Sequence, residues 1–366
     1  MWRVKKREHL ERPLKMEPTQ GIDEHIAITG SSGFLPTLLL KRLAELPSVK
    51  EVHLFDIRTP EITSSKFIFH RMDITKEDTS SEMAQILIDN KITTFIHAAL
   101  FSGPTRKRGQ HRETESIGTF HVLNAVAESK IKRLIVHSAT FVYGAYAKNP
   151  NFIHETQSLR SVGSYFVKTR VEVEQQIQEF ADSYKSCDVI VLRFAPILGP
   201  NSNNIRARYF LSGVVPKVLG YDPLLQFIHE EDALRASLMA LSCRTRGIFN
   251  IVGRGIIPLS TGLHLAGRFP LPFVSHVCRS VFSMGYMLRI WDLPQEMVPF
   301  FQFLCVADCK KAERELGFTA QYSSRQALKS MIEASRLRNE GFTATTPILG
   351  EDRETSQEAV GFRRVY

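Results

Sequence analysis

The sequence predicts an α/β protein built on a doubly wound parallel sheet. Two observations carry that prediction. Short apolar runs alternate with longer segments of helical periodicity from residue 25 to near residue 200. A glycine-containing turn joins the first apolar run to the first helix.

The elements follow in order. His25–Thr29 (HIAIT) reads as a buried strand, and Gly33–Leu46 as a helix that stops before Pro47. Glu51–Asp56 (EVHLFD) and Lys66–His70 are the second and third strands. Ser80–Asn90 is helical, and Thr94–His97 is the fourth strand. A helix over Arg112–Ser129 leads to a fifth strand, Arg133–Ser138, and a long helix over Ser164–Tyr184 to a sixth, Asp188–Arg193. Beyond Gly199-Pro200 the alternation weakens, and Phe249–Val252 is expected to return one strand to the sheet. This divides the chain into a basic flexible lead (1–23), a dinucleotide-binding domain (24–200), a smaller C-terminal α/β substrate-binding region (201–335) and a polar tail (336–366).

Hydrophobic residues make up 43% of the chain and charged residues 23%, which fits a globular protein with a large core. The formal charge of +9 favours anionic partners, but no segment resembles a nucleic-acid-binding module. Five cysteines without short clusters argue against a disulfide framework and against a metal site. The start of the chain lacks the apolar core of a secretory signal, and no run of 18 apolar residues occurs, so a cytoplasmic location is expected. Residues 263–304 are rich in Phe, Leu, Val and Met, with Arg268, Arg279 and Arg289 spaced through them. Peripheral membrane contact, a cover over a lipophilic pocket and ordinary core or dimer packing are all compatible with that composition.

The turn Thr29-Gly30-Ser31-Ser32-Gly33-Phe34-Leu35-Pro36 lies where a phosphate-binding loop belongs, after a strand and at a helix N-terminus. Gly30 allows the tight turn and Gly33 the approach of a pyrophosphate, with Ser32, Phe34 and Leu35 beside it. Asp56 ends the second strand, where a carboxylate bonds the adenosine ribose and repels a 2′-phosphate. NAD is therefore the expected cofactor, with Ile57 and Arg58 flanking the adenosine; Arg58 keeps a minor NADP reading open.

The segments TGSSGFLP, FDIR, MDIT, FIHAA, Ser138–Gly144, SYFVKTRVEVE, LRFAPILGP and LQFIHEEDAL occur in an order that resembles the extended short-chain dehydrogenase/reductases of the NAD-dependent epimerase/dehydratase family. The resemblance covers residues 25–255, and more weakly Val306–Ala320. It implies a Rossmann-type sheet, Asp73 and Ile74 beside the adenine, Ala98 and Ala99 along the cofactor, and Lys168 on the nicotinamide ribose. It also implies a homodimer through the helices at 112–129 and 164–184.

The family's chemistry uses a Tyr as general acid/base, a Lys four residues later that lowers its pKa, and a Ser or Thr at the end of the fifth strand. Here Ser164 stands four before Lys168, and Tyr165 three before it. Ala139 stands four before Tyr143 of the Val142-Tyr143-Gly144 segment, where the family has its hydroxyl. The candidate catalytic set is accordingly Tyr165 and Lys168 with Ser138, re-aimed by a bulge at Phe141, or Thr140. Glu115 and Pro196 occupy positions where the family often has Asn. Arg206, Arg208 and His229 are candidate substrate contacts. The expected function is hydride transfer at a carbinol carbon of a nucleotide-sugar or lipophilic substrate. The alternative is a catalytically degenerate NAD(H)-binding sensor or scaffold, in which Tyr165 turns into packing.

Overall fold

The computed structural model describes residues 21–159, 164–290, 293–339, 342–344 and 362–364. Most of the expected basic lead, residues 1–20, lies outside the described residues.

Seven strands form one sheet: β1 (His25–Thr29), β2 (Glu51–Asp56), β3 (Phe67–Arg71), β4 (Thr94–His97), β5 (Arg133–Ala139), β6 (Asp188–Phe194) and β7 (Gly247–Ile251). Their spatial order is β3-β2-β1-β4-β5-β6-β7, and every pair is parallel. The chain winds outward from β1 in one direction and then, through β4, in the other, which opens a crevice at the carboxyl ends of β1 and β4. The strand expected at Phe249–Val252 is β7, two residues earlier and beside β6.

The principal helices are α1 (Phe34–Glu45), α2 (Thr79–Asp89), α3 (Gly118–Glu128), α4 (Tyr165–Ser183), α5 (Ile205–Leu211), α6 (Glu230–Ser242), α7 (Ser275–Met287) and α8 (Ser324–Asn339). In α1 the leucines at 35, 39, 40 and 43 are buried, the one-face spacing that docks a helix on a sheet. The helix expected over Arg112–Ser129 is interrupted: Glu113–Ile117 form a π-helical turn before α3 begins. That turn carries Glu115 inward, where it is fully buried.

Of the polar tail expected over 336–366, residues 336–339, 342–344 and 362–364 are among those described. Helix α8 runs through Asn339 with Ala327, Leu328, Met331 and Ile332 in the core, and strands at 342–344 and 362–364 pair antiparallel. Two apolar clusters pack against the sheet, while a third gathers residues from the C-terminal region around Tyr209, Phe210, Phe282 and Phe301. Residues of this third cluster, Phe227, Met297 and Phe300 among them, line a cavity together with the carboxyl ends of β5 and β6.

Candidate active site

The floor of the crevice is the turn between β1 and α1. Gly30 has φ +70°, and a Cβ there would lie 2.6 Å from the backbone N and Cα of Ala99. Only glycine permits this approach of the turn to the end of β4. Gly33 precedes α1 in extended conformation, and no side chain caps the helix, so its first N–H groups point into the crevice. The Ser31 hydroxyl is buried without a partner in the same turn. Asp56 braces the turn: its Oδ2 accepts from the Ser32 N–H (2.9 Å) and hydroxyl (2.8 Å), and its Oδ1 from the Arg58 N–H (3.0 Å). A bare glycine cradle, an uncapped helix start and a half-buried carboxylate at the end of β2 fit a dinucleotide: pyrophosphate on the turn, adenosine toward Asp56.

The other cofactor candidates fall along the same edge. Asp73 accepts from the Thr75 N–H (3.1 Å) and hydroxyl (2.8 Å), and this local turn presents Ile74 against α3, where a Cβ on Gly118 would meet Ile74 at 2.6 Å. Ile57 and Arg58 are exposed beyond the tip of β2. His97 links β4 to its neighbours, with Nδ1 2.8 Å from the Thr29 hydroxyl and Nε2 2.9 Å from that of Thr119. Burial holds its pKa down to about 3, so this bridge is neutral.

The crevice continues into a cavity of about 380 Å³. Gly33, Phe34, Leu35 and Ala98 line its cofactor end. Beyond them lie the end of β5 (Ser138 to Phe141), Phe166 and Arg170 of α4, and an apolar wall from the C-terminal region that includes Leu225, Phe227, Met297, Phe300 and Phe303.

The expected pair of Tyr165 and Lys168 is not assembled there. The Tyr165 hydroxyl donates to the Thr105 carbonyl (2.7 Å) and accepts from the Thr105 N–H (2.8 Å). Its ring is covered by the Arg108 guanidinium at 4.8 Å, and burial pushes the phenol above its ordinary pKa, the opposite of what a general base needs. The Lys168 side chain is 66% exposed, and its Nζ lies 4.0 Å from Glu172 Oε1. The reason is helical phase. Ser164 is the extended N-cap and α4 begins at Tyr165, so the residues turned to the cavity are Phe166 and Arg170, with Glu174 one turn further along the same stripe beneath β5 and β6. The sequence signal for this face was present, since 166, 170 and 174 form a strict i, i+4 stripe.

No bulge re-aims Ser138. Strand β5 keeps its register with β6 through Ala139↔Phe194, and Thr140–Tyr143 form a single 3₁₀ turn. The Ser138 hydroxyl is bound to the Glu174 carboxylate, which also pairs with Arg193. Arg193 donates to the Tyr143 hydroxyl (2.8 Å), which donates to Asn250 (2.6 Å). Burial raises the Tyr143 phenol to about 12. Ser138 therefore belongs to a buried network joining β5, β6, β7 and α4. Thr140 lines the cavity. The cavity thus presents a methyl (Ala139) at the end of β5 and, four residues apart on α4, a phenyl (Phe166) and a guanidinium (Arg170).

Glu115 explains the guanidinium. Arg170 Nη2 lies 2.5 Å and Nε 3.2 Å from the two Glu115 oxygens, both side chains 1% exposed, and the Phe101 N–H donates to Glu115 at 2.8 Å. Two charges that would each be prohibitive in the core neutralise one another in a forked geometry.

The three substrate candidates separate. Arg206 lines the cavity. Its guanidinium lies 4.7 Å from the Phe301 ring, its Nη1 has no partner, and burial pulls its pKa down to about 10. Arg208 is exposed and donates to the Asn203 carbonyl (2.9 Å). His229 is structural rather than a substrate contact: it caps α6 by accepting from the Glu231 N–H (3.2 Å), lies 3.1 Å from Ser330 Oγ and stacks on Tyr322 at 4.0 Å. Burial lowers it to about 4. Pro196 lines the cavity without an N–H to offer.

The fold and the glycine cradle define a dinucleotide-binding protein of the α/β class, and comparison with known proteins gives the family. Residues 26–252 match the model of the NAD dependent epimerase/dehydratase family, and the chain belongs to that family. This is an enzyme family of the extended short-chain dehydrogenase/reductase type, and NAD is its cofactor. An uncharacterised protein of Mycobacterium tuberculosis is 27% identical over 346 residues, 92% of this chain and 89% of its own. Short-chain dehydrogenase/reductase family 42E member 1 of Xenopus laevis is 24% identical over 79% of this chain and 75% of its own. Among solved structures, MoeE5 in complex with UDP-glucuronic acid and NAD aligns with a TM-score of 0.68 over 86% of this chain and 99% of that one, at 21% identity.

Proposed function

We propose that the protein binds NAD(H) together with an amphipathic small molecule, an apolar body bearing one anionic group, and carries out hydride transfer at a carbinol carbon of that molecule. Arg206 carries this reading. A guanidinium buried among aromatic rings, with no carboxylate facing it among the described residues, is costly unless a ligand supplies the counter-charge. The walls around it are chiefly aliphatic and aromatic, which suits a sterol-like or acyl body better than a sugar ring.

NAD, when bound, supplies the hydride acceptor or donor. The Gly30–Leu35 turn holds its pyrophosphate and Asp56 its adenosine ribose. Phe141, Phe166 and Phe300 exclude water from the cavity, and Arg206 fixes the anionic end of the substrate. The Thr140 hydroxyl, just past the end of β5, is the group left to hydrogen-bond the reacting oxygen, and the proton that the carbinol loses with its hydride is released to bulk solvent.

One observation favours a second reading. With Ala139, Phe166 and Arg170 in the cavity, no phenol lines it, and a protein that senses NAD(H) or presents a bound ligand needs none. Single-turnover reduction of bound NAD⁺ decides between the two. The panel is hydroxysteroids and acyl alcohols with and without a carboxylate or phosphate, beside nucleotide sugars. Reduction by the anionic apolar alcohols, lost in Arg206→Met, supports the enzyme. Tight binding of the same compounds without reduction supports the sensor. Reduction confined to nucleotide sugars overturns the substrate class.

A further inference from the structure

The chain from 233 to 291 contains no Asp or Glu and seven arginines. Within it lies the largest concentration of exposed apolar side chains among the described residues. Strand Phe269–Phe273 pairs in parallel with strand Val214–Val218, and α7 packs across both. Along this face Phe269 is 80% exposed and Met287 73%, with Val274, Met284, Leu288 and Ile290 all more than half exposed. Leu219 and Tyr221 extend the face from the neighbouring strand.

Helix α7 carries apolar side chains on both of its sides. Cys278, Phe282 and Gly285 point inward and are buried, while Val277, Met284 and Met287 face out. The outward apolar side chains are interspersed with exposed His276, Arg279, Ser280 and Ser283, the mixture of an amphipathic helix that lies at a membrane interface. At 13 residues it is too short to cross a bilayer. Arg279 and Arg289 are exposed on or beside it, and the Arg106 guanidinium lies 4.0 Å over the Tyr286 ring at its C-terminal end. Among the described residues near the patch, Asp222 lies 3.4 Å from Lys217 and Glu296 pairs with Arg108 at 2.6 Å, so both acids already have cationic partners.

We propose that this face is a membrane-docking surface that lies in the headgroup region of an anionic bilayer, with α7 parallel to the membrane plane. Charge selects this occupant over a second copy of the chain. A two-fold contact through the face would bring its arginines together where the described acids are already paired with other cations, whereas an anionic lipid surface complements both the apolar side chains and the arginines. The face is continuous with the cavity. Helix α7 packs on the 3₁₀ helix Gln295–Phe301, whose Met297 and Phe300 line it, so an apolar ligand has a short path from bilayer to pocket. The docking itself does not depend on the proposed substrate.

The test is flotation of the full chain with phosphatidylcholine vesicles, with and without phosphatidylserine, beside the Phe269→Glu/Met287→Glu double variant. The wild type is expected to float with phosphatidylserine vesicles at low salt and to be released by high salt. The double variant, with unchanged NAD affinity as the check on folding, is expected to lose binding by roughly tenfold or more. Three outcomes overturn the proposal. One is no flotation of the wild type. Another is binding that survives the double substitution, which assigns it to a site elsewhere, such as the basic residues 1–20. The third is a wild-type dimer that the substitutions convert to monomer, which makes the face a protein interface.

Discussion

The two walls of the crevice are built on different kinds of requirement. The cofactor wall keeps what a dinucleotide requires: glycine at 30 and 33, an uncapped helix, a carboxylate at 56. The wall facing it keeps the family's backbone, a strand ending in a 3₁₀ turn and a helix with an i, i+4 stripe, but presents different chemistry on it. Cofactor binding is mostly backbone geometry, and proton transfer is mostly side-chain identity. One can persist while the other is rewritten without disturbing the fold.

That contrast can be broken most severely on the cofactor side. Gly30→Val places a branched side chain against Ala98 and Ala99, and NAD binding by fluorescence titration is expected to fall at least about a hundredfold while the sheet persists by circular dichroism. On the opposite wall, Glu115→Ala leaves the Arg170 guanidinium buried without its partner. A loss of about 3–5 kcal/mol in urea unfolding is expected, with Glu115→Ala/Arg170→Met recovering much of it.

A smaller effect is expected at Glu230, whose carboxylate accepts from the Asn201 N–H (3.0 Å) and side-chain amide (2.7 Å) beneath Gly199. Burial raises its pKa to about 7 from 4.5. The fold therefore favours the protonated acid. Its contribution is fully present below pH 4.5 and is lost as pH rises toward 7, so Glu230→Gln should stabilise the protein by about 1–3 kcal/mol at pH 8 and by little at pH 4.5. The smallest effects sharpen the comparison. Tyr165→Phe should cost about 1 kcal/mol of stability through its bonds to Thr105. Lys168→Ala should change stability by less than about 0.5 kcal/mol. Neither should alter NAD affinity or any turnover by more than about twofold; a large loss of turnover in Tyr165→Phe would restore the shifted-tyrosine reading.

The order of strands and helices was legible because each apolar run is local and its period distinct: HIAIT, EVHLFD and TFIH are all but wholly buried. The cofactor turn was legible for the same reason, since one short segment contains its chemistry. The opposite wall was misread where one residue of phase decides. Tyr165 and Lys168 attract attention as residue types, yet the start of α4 turns them away and turns Phe166 and Arg170 in. The counter-ion of Arg170 stands 55 residues earlier on a π-helical turn that leaves no local pattern. Arg206 was singled out together with Arg208, and only the packing of the C-terminal region separates the buried guanidinium from the solvated one.

The Glu115–Arg170 pair also constrains the evolutionary path of this chain. Replacing Glu115 alone by the amide frequent at that position strands a cation in the core, and replacing Arg170 alone by a shorter ammonium breaks the fork that satisfies the carboxylate. Either single step passes through a less stable protein. The pair acts as a latch: only a change of both members together avoids leaving a lone charge in the core.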